Sequence, residues 1–268
     1  MENKTFVADD AGLVRLVGAQ PERVVLMVSP CRSGSTAMLR VFGYSGYTAV
    51  FQPIKNALRW QNLETSAPWE MPAVRSVFIK ETFGPYHQFE VLFDPVQVLL
   101  EAGVDPARLR LVVLLREPAD VWASWQAVWG GLARISMLEQ AYAACEAAVA
   151  SARVAGVGLD TLSFEACCAD PRREVGRLFD AMGQTLTDHA VAHWDALPRF
   201  AQDGSGVVIP QEPERYIVPH AHAAAVQSAA YGQVRRVQAS ARDQAAIRDT
   251  VIPVRHANLS GLTAKERA

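Results

Sequence analysis

Residues 24–36 read Val-Val-Leu-Met-Val-Ser-Pro-Cys-Arg-Ser-Gly-Ser-Thr, and they are the most informative part of the sequence for the fold. Its first five residues are apolar and mostly β-branched, which is typical of a strand that is buried on both faces. A loop of small polar residues follows, and residues 37–42 then have the composition of a helix. The order of strand, loop and helix N-terminus predicts an anion-binding loop, because backbone N–H groups and the helix dipole both favour negative charge there.

The side chains of this loop suit a phosphate or sulfate group. They are Arg32, Ser33, Gly34, Ser35 and Thr36. The glycine lets the backbone approach an anion closely, the three hydroxyl groups are hydrogen-bond donors, and the guanidinium adds a fixed positive charge. The alternative is a plain strand-to-helix turn that is rich in small residues.

The loop differs from an NTP-binding loop, whose pattern is G-x-x-x-x-G-K-[ST]. When that pattern is laid over residues 29–36, Ser29 replaces the first glycine and Ser35 replaces the lysine. The lysine that contacts the β- and γ-phosphates is therefore absent, and the positive charge lies at Arg32, before the glycine. The pattern favours an anion other than ordinary Mg-NTP.

Composition excludes several classes of function. The chain has 268 residues, a formal net charge of −2 and 50% hydrophobic residues. This balance gives no support to a nucleic-acid partner, and no run approaches the ~20 apolar residues that a membrane span needs. The N-terminus is not followed by an apolar signal segment, so we expect a cytoplasmic protein without a membrane partner. The cysteine spacing matches no zinc pattern, so we expect reduced thiols.

Strand and helix patterns alternate along the chain, which predicts an α/β fold: a single three-layer domain with a mainly parallel central sheet flanked by helices, of P-loop type. Residues 1–23 are expected to be a lead-in with Leu13, Leu16 and Val17 on one helical face. Predicted strands are residues 24–28, 47–51, 77–81, 109–115 and 161–164. Predicted helices are residues 37–43, 54–63, 95–102, 119–128, 132–155, 171–182, 187–200, 223–236 and 241–250.

Charged residues follow several of these strands. In sheets of this kind, ligands bind outside the carboxyl ends of the strands. Because each lies just past a predicted strand, Arg32, Lys80, Glu81 and Arg116 are expected along one edge.

A second anion site is predicted at the end of strand 109–115. Arg116 follows the strand directly, and Ser124 lies eight residues later on the next predicted helix. Two separate anion sites suit a ligand with phosphate groups at both ends. The alternative is that Arg116 pairs with Glu117 or Asp120, and that Ser124 is an exposed helix residue.

Three segments resemble a known family. The Pro-x-Arg-Ser-Gly-Ser-Thr loop at residues 30–36 resembles the 5′-phosphosulfate loop of sulfotransferases that use 3′-phosphoadenosine 5′-phosphosulfate (PAPS). Leu-Arg-Glu-Pro-Ala-Asp-Val at residues 115–121, together with Ser124, resembles the 3′-phosphate motif of that family, with the same spacing. Residues 163–165, followed by Asp-Pro at 170–171 and a helix, are similar to its Tyr-Glu-Asp segment. These motifs lie within residues 24–183, and residues 184–268 form a C-terminal helical and loop segment.

The resemblance implies a PAPS donor and no metal. It implies that residues 32–36 hold the 5′-phosphosulfate, that Arg116 and Ser124 hold the 3′-phosphate, and that Phe164 lies near the adenine. The chain also departs from the family. Many members have Lys-Thr-His after the third strand, where residues 80–82 read Lys-Glu-Thr, and the Arg-Lys-Gly segment of cytosolic members is not visible.

The expected reaction is transfer of a sulfuryl group to a hydroxyl or amine. Arg32 and the loop amides would stabilise charge on the leaving phosphate, and Lys80 would neutralise the same region. Glu81 is the first candidate for the general base, provided that its pKa is raised or the acceptor is acidic. His87 is the alternative base. The non-catalytic reading of Glu81 is a salt bridge with Lys80 or with another cation.

Aromatic residues near this segment would line a small-molecule acceptor pocket or pack as plain core, namely Trp60, Trp69, Phe83, Tyr86 and Phe89. His220 and His222 are close together in the sequence. They are either a pair of metal ligands or ordinary loop histidines.

Two other classes of protein stay open. A P-loop kinase or NTPase needs the missing loop lysine and a strand-end aspartate for Mg²⁺, whereas strand 109–115 ends at Arg116. A non-catalytic nucleotide-binding or scaffold protein would keep the fold without a base. The oligomeric state is open, a homodimer included.

Overall fold

The computed structural model describes residues 4–8, 14–16, 21–65, 70–72, 74–85, 87–191, 206–216, 231 and 237–262. Several sequence predictions lie outside these residues. They concern Leu13, Val17, Trp69, Tyr86, His220, His222, most of the helix at 187–200 and nearly all of the helix at 223–236.

A parallel sheet of six strands forms the centre of the described chain. The strands in chain order are β1 (Lys4–Ala8), β2 (Val14–Leu16), β3 (Arg23–Pro30), β4 (Thr48–Phe51), β5 (Glu70–Pro72), β6 (Ser76–Phe83), β7 (Leu109–Leu115), β8 (Gly158–Ser163) and β9 (Val207–Val208). The sheet order is β8-β7-β3-β6-β4-β9, and every neighbouring pair is parallel. Strands β2, β1 and β5 form a smaller antiparallel sheet.

Helices cover both faces of the parallel sheet, which confirms the predicted α/β class. They are α1 (Ser35–Tyr44), α2 (Pro53–Gln61), α3 (Pro95–Glu101), α4 (Pro118–Trp129), α5 (Ile135–Val154), α6 (Phe164–Ala169), α7 (Pro171–Ala181), α8 (Asp188–Val191), α9 (Ala241–Arg248) and α10 (Ile252–Ser260). Side chains of α2–α5, α9 and α10 belong to one apolar cluster. Side chains of α1 and α6–α8 belong to the cluster on the other face.

Side chains of β3 point alternately to two apolar clusters, which explains why its apolar run contains no polar residue. Val24, Leu26 and Val28 belong to the cluster that includes α2 and α4, whereas Val25 and Met27 belong to the cluster that includes α1. Successive side chains of a strand point to opposite faces, so a strand covered on both sides must be apolar at every position.

The strand order reverses beside β3, and this reversal positions the site. The chain leaves β3 through α1 on one face, and it leaves the neighbouring strand β7 through α4 on the other face. Such a reversal opens a crevice at the carboxyl ends of the two strands, where open α/β sheets bind their ligands. The loops that carry Arg32 and Arg116 both start at this crevice.

The structure corrects four sequence predictions. Residues 14–16 are strand β2 rather than part of a helix, because they pair with β1. Strand β6 continues to Phe83, because Thr82 and Phe83 still pair with the end of β3. Lys80 and Glu81 therefore lie inside the strand and not just past it. Phe164 begins α6 rather than ending a strand, since the Ser163 hydroxyl accepts a hydrogen bond from the Ala166 N–H and caps that helix.

In the described part of the chain, none of the helices combines the length and the apolar character that crossing a membrane would require.

Candidate active site

The loop after β3 turns sharply into α1. Arg32 and Gly34 both adopt left-handed backbone conformations, with φ of 72° and 84°. This conformation is uncommon for a residue with a Cβ, and such positions cluster at functional sites. Within the described part of the chain, no side chain accepts a hydrogen bond from the first turn of α1. In that turn the Ala37 N–H donates to the Gly34 carbonyl at 3.1 Å, so only the N–H groups before it are left for another acceptor.

Two buried groups in this region lack partners. The Ser33 side chain is fully buried, and its hydroxyl has no hydrogen-bond partner among the described residues. The same is true of Ser29, the residue of β3 that precedes Pro30. A buried hydroxyl without a partner costs free energy, so an acceptor placed against the loop would stabilise it. Ser35 is buried as well, whereas Thr36 is half-buried.

Arg116 lies directly after β7 and is buried. Its Nη1 donates to the carbonyl of Arg32 at 3.0 Å, and its Nη2 donates to the carbonyl of Val237 at 2.6 Å. Its Nε has no partner among the described residues. Burial lowers the pKa of Arg116, but a guanidinium stays protonated at physiological pH. Arg116 also forms an ion pair with Asp120, whose Oδ2 is 3.9 Å from Nη2, so this part of the alternative prediction is confirmed.

The two predicted anion-binding regions are in direct contact. The Nε of Arg32 donates to the hydroxyl of Ser124 at 3.1 Å. Ser124 is 1% exposed, so the alternative in which it is an exposed helix residue is wrong. The fold therefore places the two predicted sites side by side, with Arg32, Arg116 and Ser124 in one cluster.

Aromatic rings pack on the glycine of the loop. A Cβ built on Gly34 would lie 2.6 Å from Cε2 of Phe164, so no larger residue fits there without a shift. The ring of Phe164 also lies 4.8 Å from the guanidinium carbon of Arg116. Tyr231 donates from its hydroxyl to the Gly34 carbonyl at 3.1 Å. Sequence patterns did not single out Tyr231, because a contact across 197 residues leaves no local signal.

Several donors of this cluster have no partner among the described residues. The unpartnered hydroxyl of Ser33, the unpartnered Nε of Arg116 and the uncapped start of α1 are all available to anionic oxygens. The Phe164 ring lies beside them, but its side chain is only 1% exposed. Two other donors of Arg116 bind carbonyl groups, so a phosphate that uses them has to displace the carbonyl of Arg32 or Val237.

Lys80 and Glu81 point to opposite faces of the sheet. Their neighbours Phe78 and Ile79 belong to the α1 and α2 faces respectively, and side chains alternate along a strand. Lys80 is 3% exposed, and its Nζ lies 3.9 Å from the centre of the Phe51 ring. Burial lowers the pKa of Lys80 to about 7.

Glu81 holds the start of α2. Its Oε1 accepts hydrogen bonds from the backbone N–H groups of Ile54, at 2.7 Å, and Lys55, at 3.4 Å. Its Oε2 has no partner among the described residues, and the side chain is fully buried. Burial raises the pKa of Glu81 to about 7, although Lys55 opposes the rise. Among the described residues, Glu81 forms no ion pair within 4 Å, neither with Lys80 nor with another cation. Its partners are backbone amides.

His87 is exposed and belongs to an aromatic cluster with Phe89 and Tyr216. Its ring stacks on Phe89, with centroids 5.5 Å apart, and meets the edge of Tyr216 at 5.0 Å. His87 lines a cleft of about 180 Å³ that begins at Gly84. Of the other aromatic residues predicted for a pocket, Phe83 is fully buried in the core.

Trp60 is half-buried and packs against the same apolar cluster as α2. Its Nε1 donates to the Gln211 carbonyl at 3.0 Å. This contact ties α2 to the segment that precedes Tyr216.

A buried ionic network, which the sequence did not reveal, joins α2 to this region. Glu90 receives hydrogen bonds from Arg59, with Nε–Oε1 of 2.8 Å and Nη2–Oε2 of 3.2 Å, and it lies 3.8 Å from Lys55 Nζ. Arg59 also pairs with Glu212 at 2.9 Å. Lys55 in turn donates to the carbonyl of Thr82 at the end of β6. The only sequence signal was the four-residue spacing of Lys55 and Arg59, which places them on one helix face.

The comparisons with known proteins are sparse. No family model matches the chain, and no curated protein matches it in sequence. A solved structure, the sulfotransferase domain from the Synechococcus PCC 7002 olefin synthase, is similar over 91% of this chain and 95% of that chain, with 13% identity and a TM-score of 0.43. A likeness at this level carries no argument about what the present chain does.

Proposed function

We propose that this chain transfers a sulfuryl group from PAPS to a hydroxyl or amine of a small-molecule acceptor. The observation that carries the proposal is the contact between the two predicted anion-binding regions at the sheet crevice. The Arg116 guanidinium binds the backbone carbonyl of Arg32, and the Arg32 guanidinium binds Ser124, beside the uncapped start of α1. β7 is followed directly by Arg116 and not by the aspartate that holds Mg²⁺ at this strand end in a kinase or NTPase.

The loop and the second strand end have separate roles in the proposal. Residues 32–36 hold the 5′-phosphosulfate, Arg116 and Ser124 hold the 3′-phosphate, and Phe164 contacts the adenine. When bound, PAPS supplies an activated sulfuryl group and leaves as adenosine 3′,5′-bisphosphate. Arg32 and the N–H groups of α1 stabilise the negative charge that develops on the leaving phosphate oxygen.

In this proposal, Lys80 supplies a further positive charge when an anion lies nearby. It lies on the same sheet face as α1 and has a pKa of about 7. Its ammonium is therefore only partly protonated at neutral pH, and a nearby anion favours the protonated form.

We assign the general base to His87 rather than to Glu81. A base must come within hydrogen-bond reach of the proton that it removes. Glu81 is fully buried under α2 and already accepts two backbone hydrogen bonds. His87 is exposed in the cleft that starts at Gly84. In this proposal an imidazole nitrogen of His87 takes the acceptor proton, and Glu81 fixes α2 in place.

Turnover of PAPS tests the proposal. The protein is incubated with PAPS and a panel of phenols, alcohols and amines, and the release of adenosine 3′,5′-bisphosphate is measured. Arg32→Ala and Arg116→Ala should abolish measurable turnover, and His87→Gln should lower it by about 10²–10⁴-fold. Arg153→Gln, an exposed substitution at the far end of α5, is the matched control. If His87→Gln kept full activity and a folded Glu81→Gln lost its activity, the general base would be Glu81 rather than His87.

A further inference from the structure

The cleft beside His87 adjoins the anion-binding loop. Gly84, at its inner end, packs on Cys31: a Cβ built on Gly84 would lie 2.5 Å from the Cys31 sulfur. The backbone N–H of Cys31 also donates to the carbonyl of Phe83 at 2.6 Å. A molecule that fills the cleft therefore ends one residue away from the loop that we assign to the donor.

One side chain that lines the cleft is positively charged, and none of the described lining residues is negatively charged. Arg134 lines it at the start of α5 and is exposed, and its guanidinium has no hydrogen bond or ion pair with the residues that the structure describes. Among the residues that the structure describes, no aspartate or glutamate lines the cleft. Glu90 follows the lining residues His87 and Gln88 closely, but it is buried and bound by Arg59.

The other residues that line the cleft are uncharged polar and apolar ones, and the cleft is small. Gln88, Ser136 and Gln140 offer neutral hydrogen-bonding groups, and Pro85, Val91 and Met137 offer apolar surface. The volume of about 180 Å³ is below the roughly 300–1,000 Å³ of a site for a drug-sized ligand. The cleft thus accommodates one short end of a molecule rather than a whole one.

We infer that the acceptor is a hydroxy- or amino-substituted carboxylic acid whose carboxylate binds Arg134 in this cleft. The planar guanidinium matches a carboxylate through two parallel hydrogen bonds. His87 lies in the same cleft, so the reacting hydroxyl or amine is brought to the proposed base. The acceptor role of this acid rests on the proposed sulfuryl transfer. The binding of its carboxylate to Arg134 does not depend on that proposal.

Binding without any donor tests the inference separately. The probes are lactate, salicylate and para-hydroxybenzoate, each compared with its methyl ester, by calorimetry on the full chain. At least one acid should bind about tenfold or more tightly than its ester, because charge-assisted hydrogen bonds carry that preference. Arg134→Gln should remove the preference, Arg134→Lys should keep part of it, and Arg153→Gln should leave it unchanged.

Several results would overturn the inference: no binding of any acid, equal binding of acids and esters, an unchanged preference in Arg134→Gln, or tighter binding of phenyl phosphate than of the acids. Adenosine 3′,5′-bisphosphate is titrated into the same samples. If it binds wild type and Arg134→Gln alike while the acid preference is absent, only the inference fails. If it binds neither protein, the proposed function fails, and the acid titrations still decide the Arg134 site.

Discussion

Glu81 and Lys80 are adjacent, buried and on opposite faces of β6, and each has a pKa of about 7. Burial is the main cause in both, because it disfavours the charged form of each group. The carboxyl of Glu81 binds its proton more tightly in the folded chain than in the unfolded one, and the amine of Lys80 binds it less tightly. These two residues therefore act on stability in opposite pH ranges.

We predict that stability has a minimum near neutral pH that depends on these residues. The free energy of unfolding should fall as pH rises from about 4.5 to about 7, because the folded state holds the Glu81 proton that the unfolded state releases. It should rise again from about 7 to about 10.5, where only unfolded Lys80 remains protonated. Each pKa unit is worth about 1.4 kcal/mol at most.

Urea unfolding across this range measures the effect. Glu81→Gln keeps an oxygen for the amides of α2 and should remove the acidic fall, whereas Lys80→Met should remove the alkaline rise. An acidic fall that persists in Glu81→Gln would show that other groups cause it.

Gly34 provides a second prediction at this scale, with Gly46 as its matched control. Both have φ of 84°, but a Cβ on Gly34 would meet the Phe164 ring, whereas a Cβ on Gly46 would meet nothing within 4 Å. Gly46→Ala should cost only the backbone strain, about 1–2 kcal/mol. Gly34→Ala should cost more and should weaken nucleotide binding. Equal losses of unfolding free energy in the two variants would contradict the close packing of Phe164.

The sequence predicted which residues lie in the loop and at the second strand end, but it did not predict their partners. Gly34 and the hydroxyls around it follow from the loop pattern, and Arg116 and Ser124 follow from their spacing. The hydrogen bond from Arg32 to Ser124 does not follow from any pattern, because it depends on where the reversal of strand order places two distant loops. The same reason hides Tyr231.

At the scale of elements, α2 is held by charge as well as by apolar packing. Burial alone would raise the pKa of Glu90, but Lys55 and Arg59 hold it below its ordinary value. An ionic group in such a place is strongly destabilising when its partner is removed, because the remaining charge stays buried.

Glu90→Gln should therefore lower the free energy of unfolding by about 3–5 kcal/mol. The control is Glu22→Gln, because Glu22 pairs with Arg75 at 2.6 Å on the surface, where both side chains are more than half exposed. That variant should change stability by about 0–1 kcal/mol. Chemical denaturation measures both variants. A small loss in Glu90→Gln would mean that the network tolerates an unpaired cation.

Elements with long apolar runs were predicted most accurately. β7 has the predicted bounds, since a strand covered on both faces is apolar throughout. Short strands such as β5 and β9 were missed, because two or three residues carry no periodicity and their pairing partners are far along the chain. Strand β2 was mistaken for helix for the same reason.

At the scale of the whole molecule, the topology concentrates positive charge in a chain that has little net charge. The net charge is −2, so no general attraction exists. The reversal of strand order between β3 and β7 instead brings Arg32, Arg116 and the start of α1 to one crevice. Positive charge is concentrated by folding and not by composition, which is why composition alone gave no indication of it.

The most direct test of the account is a calorimetric titration with adenosine 3′,5′-bisphosphate, compared with 5′-AMP and Mg-ATP. We predict micromolar binding that requires the 3′-phosphate, needs no Mg²⁺ and weakens by about 10–100-fold in Arg116→Ala, as expected when a hydrogen-bonded charge is lost. Arg153→Gln should bind like the wild type. Equal binding of 5′-AMP, preference for Mg-ATP, or no binding of the bisphosphate would contradict the account.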